Sequence, residues 1–211
     1  MSVQSALQDQ YDVVLDRKQN PGGEKSYTNY LYSQGLNKML KKCGEECFET
    51  VIAVKTGDTD EILGELGDLF YHVTVMMCDC GVTLDQVMEA LNVRCQTEGK
   101  SFDVLSDVVA ARRGLPVDED AKEGSSYTAY LFQKGTDKIL KKIGEACSLM
   151  LLAAKDQDQE KIAYEVGSLF YHVMVMMENE GLSTQQLGEK LDARNGKTGN
   201  LKVFHQTNVN S

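Results

Sequence analysis

Two pairs of acidic residues carry the chemistry open to this chain. Glu46 and Glu49 lie three residues apart, as do Glu65 and Asp68, and Lys55-Thr56-Gly57-Asp58 separates the pairs. Residues three apart on a helix are surface neighbours, about 5–6 Å between Cβ atoms, so each pair presents two carboxylates on one face. Gly57 reads as a helix C-terminal cap, and Asp58 followed by Glu61 reads as an N-cap with a capping-box-like partner. The spacing therefore predicts two antiparallel helices. Counted outward from the turn, Glu49 stands level with Glu65, and Glu46 with Asp68. At an interaxial distance of about 8–10 Å the four carboxylates converge, and their repulsion calls for a cation among them. Oxygen-only ligation suits Mg²⁺ or Mn²⁺ rather than zinc. A solvated acidic face is the alternative. Against it, the flanking Val51, Ile52, Leu63, Leu66, Leu69 and Phe70 predict helices that pack.

The elements that must hold these residues all read as helices. Leu7, Tyr11, Val14 and Leu15 follow a helical period before the Asn20-Pro21-Gly22-Gly23 break. A second helical stretch runs from about Thr28 to Thr56, interrupted only by Gly35 and Gly44. A third, from about Thr59 to Asp79, is apolar on several faces and should be central and buried. Gly81 ends it, and Thr83 caps a fourth helix from Leu84 to about Arg94. Nothing alternates with the period of a half-buried strand. The fold class is all-α.

The chain is also a duplication. SYTNYLYSQGLNKMLKKCGEECFET at Ser26 recurs as SYTAYLFQKGTDKILKKIGEACSLM at Ser126, and GELGDLFYHVTVMMCDCG at Gly64 recurs as YEVGSLFYHVMVMMENEG at Tyr164. From Ser26 to Arg94 the offset is constant at 100, with nearly half the positions identical. Upstream, Asp12-Val13-Val14 and Arg17-Lys18 answer Asp107-Val108-Val109 and Arg112-Arg113. Two repeats follow, 1–97 and 98–200, with a polar tail over 201–211. A central helix that is apolar on several faces needs a partner surface. The natural one is its counterpart, which predicts tandem helical bundles packed as an intrachain pseudo-dimer.

The second copy acts as a control within the same chain. There Glu46 is replaced by Ala146, Glu49 by Leu149 and Asp68 by Ser168, while Glu145 and Glu165 persist. The metal site therefore belongs to the first half. His72 is kept as His172 where the acids are lost, which marks it as a core or interface residue rather than a ligand. Lys38, Lys41 and Lys42 persist as Lys138, Lys141 and Lys142, so they face either phosphate or solvent.

The formal charge of −10 and a pI near 4.8 argue against binding to nucleic acid or an anionic membrane, both of which rest on basic patches. No run of about 20 apolar residues could span a bilayer, and the N-terminus lacks the pattern of a signal peptide. A cytoplasmic location is expected. Six cysteines without a familiar zinc spacing predict reduced, mostly buried thiols.

The block SYT…L…G…K.LKK.GEE..E and the block E..D.FYH closely resemble the phosphoribosyl-ATP pyrophosphatase family, over essentially the whole of each half. That family is one of the all-α, MazG-like nucleoside triphosphate pyrophosphohydrolases. The resemblance implies Mg²⁺-dependent hydrolysis of phosphoribosyl-ATP to phosphoribosyl-AMP and pyrophosphate, the second step of histidine biosynthesis. It assigns the metal to Glu46, Glu49, Glu65 and Asp68, with Glu45 completing the GEE signature of the catalytic set. Lys38, Lys41 and Lys42 are the candidates for substrate phosphate. Such proteins usually hold one unit per chain and assemble as dimers. Here the two halves stand in for the two subunits, with a further homodimer left open. The alternatives are a related enzyme acting on another nucleoside triphosphate, and a non-catalytic nucleotide-binding regulator or scaffold.

Overall fold

A computed structural model of the chain describes residues 2–21, 26–98, 101–117 and 125–195. The tail expected over 201–211 lies outside the described residues, as do Gly99 and Lys100 beside the repeat boundary. Helix α1 spans Val3–Gln19, with the Ser2 hydroxyl accepting from the Ser5 N–H and Leu7, Tyr11 and Val14 buried as their period predicts. Helix α2, Tyr27–Gln34, stops at Gly35, whose φ of 75° lets the chain turn into α3, Leu36–Thr56. Gly44, expected to interrupt the helix, does not. An interior glycine costs a helix only about 1 kcal/mol and removes no hydrogen bond, so α3 runs through it.

At the α3–α4 turn, Gly57 takes the left-handed conformation with φ 81°. The Asp58 carboxylate caps α4, Thr59–Cys80, by accepting from the Asp60 and Glu61 N–H groups at 2.9 and 3.1 Å. The Glu61 carboxylate does not close a capping box. It accepts instead from the Thr56 hydroxyl at 3.0 Å and ties the two helices together across the turn. Leu63, Leu66, Leu69, Phe70, Val73 and Val75 to Met77 are all buried on α4. The expected apolar flank fails at Ile52, which is 60% exposed, because that face of α3 points away from the partner helix. Helix α5, Leu84–Cys95, begins at a full capping box between Thr83 and Gln86.

The second half repeats the plan with α6 (Phe102–Ala110), α7 (Ser125–Lys134), α8 (Thr136–Asp156), α9 (Gln159–Asn179) and α10 (Thr184–Asn195). Helix α6 is a shortened α1. Lys18 donates to the Cys78 and Asp79 carbonyls, and Arg113 donates to the Glu178 carbonyl in the matching place. Among the described residues there is no strand.

The two hairpins, α3/α4 and α8/α9, pack on one another about an approximate two-fold axis. Equivalent residues meet reciprocally, as an isologous contact requires. Lys55 reaches Asp137 at 2.7 Å, while Lys155 reaches Asn37 at 2.9 Å. The last helix of each half then crosses to the other. Helix α5 lies on α9, and α10 lies on α1 and α4. The first crossing depends on Gly167. A Cβ there would sit 3.1 Å from the Ala90 Cβ and 3.4 Å from the Val87 carbonyl, so the missing side chain lets α5 come close. The result is an intrachain pseudo-dimer around one continuous apolar core.

Candidate active site

Both acidic pairs lie on the α3/α4 hairpin of the first half. Glu46 and Glu49 project from α3 and Glu65 from α4, with one carboxylate oxygen from each lying within 4.8 Å of the others. Glu46 is only 3% exposed, Glu65 is half-buried and Glu49 lies at the mouth. Asp68, expected as the fourth member, is buried beside them and forms an ion pair with Arg194. Three of the four convergent residues therefore form one cluster, while the fourth carboxylate engages a cation.

Basic residues ring this cluster. Lys42 bonds the Glu45 carboxylate at 2.7 Å and lies 3.8 Å from Glu46, and Lys41 lies 3.7 Å from Glu45. Burial alone would raise the Glu45 carboxyl. The hydrogen bond and charge of Lys42, helped by Lys41 and Lys38, hold it below its ordinary value. Lys38 is half-buried one turn before Lys42, and Lys41 points largely to solvent. Lys41, Lys42 and Arg194 are thus basic ion-pair partners of Glu45, Glu46 and Asp68.

His72 forms part of the floor. It is 3% exposed. A carbonyl can only accept, so His72 Nδ1–H donates to the Asp68 carbonyl at 2.9 Å, and Nε2 then accepts from the Tyr27 hydroxyl at 3.2 Å. Its Nδ1 also lies 3.6 Å from a Glu46 oxygen.

Arg194 is the residue that reading the sequence missed. It comes from α10 at the far end of the chain, stacks 4.4 Å from the centre of the Tyr71 ring and pairs with Asp68. Burial pulls its guanidinium down to about 10, against the charges of Glu46, Tyr27 and Glu65. A signal was present. Arg94 and Arg194 survive at equivalent ends of the two repeats, although most exposed positions around them differ.

The matching place in the second half is a cavity of about 300 Å³, and Arg94 of α5 enters it as Arg194 enters the first site. Ala146, Leu149 and Ser168 line it where the first half has its acids. His172 keeps the contacts of His72, with 2.8 Å from Nδ1 to the Ser168 carbonyl and 3.4 Å from Nε2 to the Tyr127 hydroxyl. Burial and the nearby Arg94 lower its pKa to about 3. Of the six cysteines five are buried, as expected of mostly buried thiols, and Cys80 is partly exposed.

An all-α fold in which one helical hairpin presents clustered carboxylates, and a second repeats the scaffold about an approximate two-fold axis without three of them, is consistent with the MazG-like architecture. Comparison with known proteins narrows this. The family model described as phosphoribosyl-ATP pyrophosphohydrolase matches residues 8–94 and again 115–195, and the chain belongs to that family, with two copies of its unit. Phosphoribosyl-ATP pyrophosphatase of Clostridium novyi is 42% identical over 93 residues, covering 44% of this chain and 84% of the relative. That of Streptococcus thermophilus is 46% identical over 98 residues, covering 46% and 90%. The histidine biosynthesis bifunctional protein HisIE of Lactococcus lactis is 49% identical over 86 residues, which is 41% of this chain but only 40% of that longer protein. No solved structure matches the chain.

Proposed function

We propose that the first half hydrolyses phosphoribosyl-ATP to phosphoribosyl-AMP and pyrophosphate, the second step of histidine biosynthesis. The observation that carries this reading is the cluster of Glu46, Glu49 and Glu65 oxygens within 4.8 Å, on a unit of that family. The donor set fits a hard divalent cation. It is all oxygen, drawn from two rigid helices, with one ligand deeply buried and one at the mouth. Glu46, Glu49 and Glu65, with Asp68 beside them, would hold Mg²⁺, with Mn²⁺ as a substitute. When bound, the metal supplies charge neutralisation on the phosphates and a lowered pKa for water.

The chain's own residues do the rest. Lys42 lies beside Glu46 and Arg194 pairs with Asp68, and each is a fixed cation toward which phosphate oxygens can be drawn. Glu45 anchors Lys42. Lys38 and Lys41, further out on the same helix, add positive potential along the approach. Asp68 orients Arg194, and Tyr71 supports the guanidinium from one face. Water adds to phosphorus at the bond between the α- and β-phosphates, and the bridging oxygen leaves with pyrophosphate. The second half, lacking three of the acids, supplies Arg194 rather than a second reaction centre.

Two further parts belong to the same proposal. The repeats divide as 1–97 and 98–200, and the enzyme works in the cytoplasm. Among the described residues no helix is long and apolar enough to cross a membrane. The test is pyrophosphate release across a panel of nucleotides, with Mg²⁺ and with chelator. Phosphoribosyl-ATP should be the preferred substrate, and only with metal. A wide preference for a plain triphosphate would overturn the substrate, and silence with every nucleotide would overturn the activity.

A further inference from the structure

The cavity of the second half is unused by the proposed reaction, yet its walls are not those of a decayed site. We propose that it binds a nucleoside monophosphate without metal. The inference rests on reading the first half as a nucleotide site, because the retained residues are counterparts of that site's walls.

The losses are selective. The carboxylates at three positions have become Ala146, Leu149 and Ser168, whereas Tyr127, Lys142, Glu145, Glu165 and His172 remain around the cavity. The changes also add surface that an organic ligand can use. Tyr164 stands where the first half has Gly64, and both Tyr164 and Leu149 are partly open to solvent, at 42% and 38%. Tyr127, Tyr164 and Leu149 offer aromatic and apolar faces to a base.

The cation has been re-anchored. With Ser168 in place of Asp68, Arg94 donates to the Tyr164 hydroxyl at 3.3 Å, and it lies 5.4 Å from the ring centres of both Tyr164 and Tyr171. Its guanidinium is held by π-faces and a neutral hydroxyl, where Arg194 is held by a carboxylate. The carboxylate within its electrostatic reach is Glu165, which lines the same cavity. Lys142, paired with Glu145 at 2.8 Å, is the second cation.

Size and charge choose the ligand class. A volume of about 300 Å³ is at the lower end of small-molecule sites, enough for a nucleoside with one phosphate. A phosphate monoester carries about −1.5 to −2 at pH 7; Arg94 and Lys142 are the cations that face it, Lys142 by exchanging its Glu145 partner for phosphate, with Glu165 as the other carboxylate of the wall. A triphosphate would need the divalent cation whose ligands have gone.

The experiment is calorimetric titration of the intact chain with AMP in the presence of EDTA. One AMP should bind per chain, at least tenfold more weakly after Arg94→Met. Leu149→Glu restores the acid of the first copy at a partly exposed position, where folding is not at stake, and should weaken AMP by a similar factor. Glu46→Ala should titrate like the parent. Absence of AMP binding would overturn the inference, as would binding that survives both second-half variants or is lost on Arg194→Met. Inorganic phosphate binding as tightly as AMP would overturn the nucleoside part. Pyrophosphate release by the parent chain is measured separately. Its absence overturns the proposed reaction and leaves an Arg94-dependent AMP site standing, whereas release without AMP binding sinks the pocket alone.

Discussion

Phe70 and Phe170 stack face to face, their ring centres 4.4 Å apart and their planes within 10°, although a hundred residues separate them. They are the same position in the two copies, so the contact marks the approximate two-fold axis. Phe102, at the start of α6, packs its edge against both rings, 5.8 and 6.2 Å away. Truncating either ring should open a cavity shared by both halves. Phe70→Ala should cost about 3–5 kcal/mol of global stability, read from urea denaturation. The chain should still unfold in one transition, and the double variant should cost less than the sum of the singles. Two separated transitions would show the halves to be independent.

Arg194 pairs with Asp68 across the boundary between the copies. Charge-assisted contacts are worth about 1.5–3 kcal/mol. Arg194→Met should therefore lower kcat/KM for pyrophosphate release by about 10- to 100-fold, with far-UV circular dichroism unchanged. An unaltered rate would remove the second half from the reaction.

The second copy supplies its own test of the acids. Glu46→Ala and Asp68→Ser each import a residue that the scaffold already tolerates. Each should reduce turnover by about 100-fold or more, since metal charge stabilisation is worth several kcal/mol, and helicity should be kept. EDTA should silence the parent, and Mg²⁺ or Mn²⁺ should restore it. Full activity in either variant would count heavily against the metal set.

His172 sets a pH dependence of stability. Its folded pKa, near 3, lies below the ordinary histidine value of 6.5 because the ring is buried and close to Arg94. The unfolded chain therefore takes up the proton first. Stability should fall as pH drops below about 6.5 and go on falling toward 3, at up to about 1.4 kcal/mol per pH unit. Chemical denaturation between pH 7 and 5.5 should show this slope in the parent and a flatter one in His172→Gln. Equal slopes would mean that another group dominates.

A fragment of residues 1–98 loses α10, which covers α1 and α4 and brings Arg194. Its own α5 carries Arg94 at the equivalent position. Sedimentation should find it as a homodimer, each copy lending Arg94 to the other's acids, or as an aggregate. A monodisperse, fully active monomer would contradict the exchange of helices.

The acidic cluster was legible because its logic is local. Glu46, Glu49 and Glu65 are placed by helical spacing on either side of one short turn, and Gly57 and Asp58 announce that turn. The duplication was legible for another reason, since two copies in one chain expose which positions packing retains and which drift. Local rules failed where a partner surface decides. Gly44 looked like a break, but no neighbour requires the chain to bend there; Gly35 was a break because φ is positive. Ile52 looked like core and faces solvent. Asp68 reads as a metal ligand from its spacing, and its pairing with Arg194 was not legible beside that. Spacing along the chain could not reveal that pairing, because the partners stand 126 positions apart. The crossing of α10 onto the first half brings them together, and it is set by the two-fold packing of the hairpins rather than by any helical period. The sequence determined the helices, their repeat and the acids. The tertiary structure decided which cation completes the site, because that depends on which surfaces of the two halves bury each other.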